Sequence, residues 1–410
     1  MAIQLPINLK RPLPLTNIFY ALATVGTVIF VVVVLFDNPA RAWQAYLLNF
    51  LFFSAIAQGA VLFSALMHTV KARWSGPLAD VAESFAAFFP VSLVLFVILF
   101  LGQQYVFPWL HEDLHGKEVW LNVPFMFGRD LAGLCLLYGF GLAFLYHRLY
   151  FNLEGRAASG PVARWLIRRW ESRQPDEQGM AKRMSVFAIL YLLAFALVLS
   201  LIGYDLVMAT DPHWYSTLFG AYCFIKSVFI GFGALIVLSS LLHLNRNNGY
   251  HVTENQFHDI GKLFFAFCLV WADFFYAQFV VIWYGNIPEE TAYIIERTMA
   301  APWNVLAWIV FFGCFFAPFI ILINRRIKTM PKAMTVICLA VMIGIWLEHY
   351  LLLGPAFHHH AHHLPLGWVE VGVGIGFFGL LAAAVAAYFK QFPELLQMQT
   401  IEAEVQRNQG

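Results

Sequence analysis

The chain has 410 residues and a net charge of +1; 60% of it is apolar and only 12% is Asp, Glu, Lys or Arg, against roughly 45–50% and ~25% in soluble domains. So few charges cannot cover the surface of a water-soluble protein this long, which excludes a cytosolic enzyme, and without a basic stripe the chain is no nucleic-acid binder. Ten apolar segments follow, each about long enough to carry a helix across a ~30 Å hydrocarbon core: Thr16–Phe36, Trp43–Val70, Asp80–Phe107, Pro124–Phe151, Met184–Met208, Trp214–Leu244, Phe257–Tyr284, Pro302–Asn324, Ala333–Gly354 and Gly367–Lys390. The first is too long for a signal-peptide core and reads as a permanent helix.

The expected fold is therefore an all-α, multi-pass membrane protein. Twenty of the 25 Lys and Arg lie at the two termini or after even-numbered segments. The loops and helix ends on the other side hold four (Arg41, Lys117, Arg129 and Arg297), and Lys226 alone lies deep inside a segment. Basic residues stay cytoplasmic, so both termini are expected in the cytoplasm. The polar stretch 153–183 is then the largest cytoplasmic connection. All five cysteines (Cys135, Cys223, Cys268, Cys314, Cys338) fall within apolar segments. There is no C-x-x-C-H and no cysteine cluster, so no haem or iron–sulfur cluster is expected on this chain.

A weak internal echo links segments two to four with six to eight. Phe63-Ser64-Ala65-Leu66-Met67-His68 parallels Leu238-Ser239-Ser240-Leu241-Leu242-His243, and His147-Arg148 parallels Asn324-Arg325. Each unit holds an even number of segments, so the copies would run parallel. The expectation is two four-helix bundles, segments 2–5 and 6–9, flanked by segments 1 and 10. As domains these are residues 1–42, 43–208, 209–354 and 355–410.

Ionisable groups inside hydrocarbon cost several kcal/mol, which makes each a functional candidate. Gln103, Gln104, Arg129, Asp130 and Asp205 sit in the outer half of the first bundle. Carboxylates beside aromatics suit a quinol head group, which needs an acceptor for each hydroxyl proton; snorkelling at the interface is the plainer reading. At the inner ends lie His68, Asp80, Glu83 and His147. Asp80 and Glu83 share a helix face, and Arg129 and His147 lie on one stripe about 27 Å apart. Acids and histidines in series suit a proton path. End-capping is the alternative, and His68 with His147 leaves open axial ligation of a haem. In the second bundle, Lys226 lies ~18 Å and Asp273 ~16 Å below the outer ends of their helices, depths at which they would pair. Glu348, His349 and Gln278 would continue the path outward. The external run His358-His359-His360-Ala361-His362-His363 suits a solvated or partner-contacting loop better than a metal site.

Several local motifs carry a resemblance. They are Trp283-Tyr284-Gly285-Asn286-Ile287-Pro288-Glu289-Glu290-Thr291, Asp37-Asn38-Pro39-Ala40-Arg41-Ala42-Trp43, Glu83 with Pro90, and Trp346-Leu347-Glu348-His349-Tyr350 through Pro355. Together they resemble the NrfD/polysulfide-reductase-like membrane subunits, and within them the ActF-type subunits of bacterial alternative complex III. The resemblance spans essentially all ten segments. It implies two four-helix bundles in the bacterial inner membrane and a quinol substrate, menaquinol or ubiquinol. It implies a periplasmic iron–sulfur partner, c-type cytochromes beyond it, and a homologous NrfD-like membrane subunit alongside. Quinone sites in the family use His, Asp, Arg or Tyr in the outer half of the first bundle, where Arg129, Asp130 and Asp205 fall here; His68 lies at the other end. Two alternatives stand beside a quinol-binding subunit: a structural, proton-conducting subunit without quinol turnover, and a stand-alone ion-coupled transporter.

Overall fold

Ten helices are long and apolar enough to cross a membrane: α1 (Leu15–Phe36), α2 (Pro39–Thr69), α3 (Gly76–Val106), α4 (Val123–Leu153), α5 (Glu177–Thr210), α6 (Phe219–Leu244), α7 (Glu254–Gly285), α8 (Trp303–Ile323), α9 (Pro331–Phe357) and α10 (Trp368–Gln391). The computed structural model describes residues 15–111, 113–114, 116–153, 159–245, 249–358 and 363–396, and no strand occurs among them. The protein is a multi-pass, all-α integral membrane protein. Most of His358–His363, at residues 359–362, lies outside the described residues.

Packing closes two rings of four. α2 contacts α3 and α5, while α4 contacts α3 and α5; α6 contacts α7 and α9, while α8 contacts α7 and α9. The rings meet through α2 and α6, the two helices most enclosed by the rest of the chain. Glycine makes that crossing tight. A Cβ on Gly59 would lie 2.0 Å from the Ser227 carbonyl oxygen, and one on Gly231 would lie 2.3 Å from the Gly59 carbonyl carbon. Small residues let backbones approach where lipid supplies no hydrophobic drive for helices to associate.

α1 and α10 pair in the same way outside the rings, with Gly26 against Gly376. The Asp37–Trp43 motif explains the junction. Asn38 caps α2 by accepting from the Arg41 amide at 3.1 Å, and Pro39 occupies the first turn, where its missing N–H costs nothing. Arg41 then reaches α10, donating to both Glu370 oxygens at 2.7 and 2.9 Å.

Helix ends depart from the hydropathy boundaries where polar turns continue a helix beyond the apolar run. α5 begins at Glu177 rather than Met184, because Asp176 caps it by accepting from the Gly179 amide at 2.8 Å. α3 is not uniform: the turn Ser84–Phe88, just before Pro90, is 3₁₀. Pro90 has no N–H to give to that turn. Two surface helices lie outside the ten segments, Pro161–Arg173 and Pro288–Thr298. The first buries Ala163, Leu166 and Trp170 and turns Arg164, Arg168 and Arg173 outward.

Candidate functional site

At the end of the first ring where α4 begins and α5 finishes, these two helices bring Arg129 and Asp205 into a two-pronged pair. Arg129 Nε donates to Asp205 Oδ2 at 2.7 Å and Nη2 to Oδ1 at 2.6 Å. Trp120 donates its indole N–H to the same carboxylate at 3.0 Å, and its ring lies 3.8 Å from the guanidinium carbon. Arginine suits this place because its planar fork matches a carboxylate while its face stacks on an indole. Asp130 is fully buried, and neither of its oxygens has a hydrogen-bond partner among the described residues. The site thus holds one engaged carboxylate and one unsatisfied one, which is costly in apolar surroundings. Gln103 is half-buried and Gln104 exposed, and no hydrogen bond joins either side chain to the Arg129–Asp205 pair.

The opposite end of the first ring is organised by a residue that sequence reasoning counted only as a basic helix end. Arg148 donates to Glu83 Oε1 at 2.9 Å and to Asp80 Oδ1 at 3.5 Å. Ser64 adds a bond to Glu83 at 2.7 Å and Asn152 one to Asp80 at 3.2 Å. The i,i+3 spacing of the two acids lets one guanidinium serve both. The signal was present in the sequence, since Arg148 follows His147 directly. His68 Nε2 lies 3.0 Å from Ser185 Oγ, and His147 donates Nδ1–H to the Ala143 carbonyl at 2.7 Å. His68 thus ties α2 to α5, while His147 leans on its own helix.

In the second ring the expected Lys226–Asp273 pair does not form. Lys226 Nζ sits 3.2 Å from Glu348 Oε2, both side chains being at most 4% exposed. Tyr222 donates its hydroxyl to Glu348 Oε1. Asp273 is exposed on the outward side of α7, whose covered face carries Phe264, Cys268, Trp271 and Gln278. Helical phase decides: nine residues at 100° each put Asp273 opposite Phe264. Gln278 points inward and accepts from Ser216 at 3.0 Å, and His349 donates Nδ1–H to the Ile345 carbonyl at 2.8 Å.

Sequence reasoning missed a neutral network at the heart of the first ring. Ser54, Ser92 and Tyr138 are joined by two bonds of 2.7 Å; Gln58 donates to Tyr138 at 2.7 Å, and Tyr191 donates to the Gln58 carbonyl at 2.8 Å. Phe89 stacks on Tyr138 with centroids 4.5 Å apart. Isolated Ser, Gln and Tyr in apolar helices carry no charge signal, so only their convergence reveals them.

Asn286 ends α7 in the left-handed region at φ 46°, and Pro288 starts the next helix. That helix buries Arg297, which donates to the Leu352 carbonyl at 3.0 Å and lies over the Tyr293 ring. Tyr293 stacks on Trp214 with centroids 3.7 Å apart, and burial pushes its hydroxyl up to about 12. The W-Y-x-N-x-P-E-E-T segment thus folds as a helix stop followed by a lid over the second ring.

No curated protein matches the chain. The sequence profile described as polysulphide reductase, NrfD, matches residues 33–361, a span from the end of α1 to just past α9 that includes both rings and the ionisable clusters within them. With ten membrane helices and buried polar clusters of this kind, the chain belongs to the NrfD polysulphide reductase family, membrane subunits of quinol-linked oxidoreductases that work with iron–sulfur partner subunits.

Proposed function

We propose that this chain is a quinol-facing membrane subunit of an alternative-complex-III-type quinol:electron-acceptor oxidoreductase in the bacterial inner membrane. Both termini are cytoplasmic in this reading, and the outer end of the first ring receives the menaquinol or ubiquinol head group. The observation that carries it is the Arg129–Asp205–Asp130 cluster, which offers a buried, unpartnered carboxyl beside a fixed ion pair and an aromatic ring. In quinol oxidation each hydroxyl loses a proton as electrons leave. Asp130 passes the proton it carries to water at the membrane surface and takes a quinol proton in its place, once for each hydroxyl, while Arg129 holds the local field and the two electrons pass to an iron–sulfur cluster in a periplasmic neighbour. c-Type cytochromes carry the electrons onward, and a homologous NrfD-like subunit lies alongside. The inner acids and histidines, with Lys226, Glu348 and His349, conduct protons.

One observation favours a second reading, a proton-conducting scaffold without quinol turnover: both oxygens of Asp205 are already engaged within the chain. Asp130→Asn separates the two, because Asp130 makes no bond whose loss would unfold the site. In the intact complex, quinol oxidation is expected to fall about 10²–10⁴-fold; an unchanged rate selects the scaffold. Gentle purification from the native membrane is expected to bring an iron–sulfur protein and c-type haem with this chain. A lone, colourless protein would overturn both readings and favour an ion-coupled transporter.

A further inference from the structure

At one level the seam between the two rings is polar. A cavity of about 40 Å³ lies between α2, α5, α6 and α9. Its lining includes Ser54 and Gln58 from the first ring and Lys226, Ser227 and His349 from the second. Roughly 10–15 Å³ of such volume holds one water, and a buried water needs two to four polar partners. The cavity therefore has room for roughly two or three.

Partners for them are present. Gln58 Oε1 is buried and accepts nothing from the described residues. His349 spends Nδ1–H on the Ile345 carbonyl, which leaves Nε2 as an acceptor. Lys226 Nζ has Glu348 as its anionic neighbour among the described residues, at 3.2 Å, and three protons to donate. On the first-ring side, Ser54 is the end of the hydroxyl chain Tyr138–Ser92–Ser54. On the other side, Glu348 receives the Tyr222 hydroxyl.

We propose that this cavity binds two or three waters that join the polar network of the first ring to the Lys226–Glu348–His349 cluster of the second, so that protons cross laterally between the rings. The proposal deepens, and rests on, the proton-conducting part of the functional reading. Each transfer is balanced: a hydroxyl or water accepts a proton on a lone pair and releases its own to the next oxygen or nitrogen. One O–H bond forms as another breaks, and no oxidant or reductant is needed. Proton conduction through each ring independently would need no polar lining at the seam.

A map of the intact complex that resolves ordered water tests the binding directly. Density within hydrogen-bond distance of Gln58 Oε1, Lys226 Nζ and His349 Nε2 is expected, and a dry cavity overturns the proposal. Ala55→Leu tests the relay, because Ala55 lines the cavity and carries no polar group. In vesicles holding the complex, proton translocation is expected to fall about tenfold, with quinol oxidation in the presence of an uncoupler retained. Unchanged translocation overturns the relay. Should Ala55→Leu not assemble, Ser54→Ala breaks the hydroxyl chain with less bulk and must also lower translocation. If the wild-type complex oxidises quinol yet moves no protons, the lateral relay fails while the quinol reading stands; if it oxidises no quinol, the functional reading itself fails.

Discussion

Lys226 and Glu348 show how one choice of partner organises a membrane interior. Each would be costly alone in hydrocarbon, and together they neutralise at 3.2 Å. Removing one partner of such a buried pair leaves an uncompensated charge and costs about 3–5 kcal/mol. Lys226→Met and Glu348→Gln are each expected to destabilise the protein by about that much. The double variant, which leaves no orphan charge, should lie well below the sum of the two; unfolding of the purified variants in detergent measures the coupling. Additive effects would show that the pair is not the unit. Presence of both charges was legible in the sequence, whereas their pairing was not. Asp273 lies on the exposed side of α7, and the rotation of that helix turns it away from the interior.

Among elements, α2 and α6 carry the join between the rings. Their contact is backbone on backbone, so side-chain size at Gly59 is a matter of sterics. Gly59→Leu is expected to push the helices apart and cost at least about 1–3 kcal/mol, the range for overpacking. Gly139→Ala is its control, since a Cβ there meets open space on the exposed side of α4; its effect is expected within about 0.5 kcal/mol. Thermal unfolding in detergent compares the two, and equal losses would remove the crossing as the cause. Helix existence followed directly from apolar run length. The surface helices Pro161–Arg173 and Pro288–Thr298 did not, because their amphipathic turns are shorter than a span and lie in polar stretches.

For the molecule as a whole, the packing of α2 on α6 implies that the rings hold together without the loop between α5 and α6. Two co-expressed pieces, split after His213, are expected to co-purify, and to separate once Gly59 is replaced by Leu. Recovery of either piece alone from the unsubstituted pair would show that the covalent link is essential. The proposed orientation has its own check. A cysteine placed at Arg173, exposed on its surface helix, should react with an impermeant maleimide only in inverted vesicles, and labelling in right-side-out cells would reverse the topology.

Composition, apolar run length and the distribution of Lys and Arg determined the membrane class, the number of helices and the expected topology. These depend on transfer of residues between water and lipid, which is additive along the chain. The motif residues likewise revealed the family, since Asn38, Arg41 and Trp346 sit at caps and contacts that need those side chains. Tertiary structure alone decided which charges meet. It set Arg129 on Asp205, Arg148 on both Asp80 and Glu83, and Lys226 on Glu348 rather than Asp273. It also assembled the uncharged Ser54–Ser92–Tyr138–Gln58 network and the polar seam between the rings. Pairing depends on helix rotation and on neighbours far apart in sequence, and in a chain whose helices are apolar on nearly every side the hydrophobic pattern carries little of that phase.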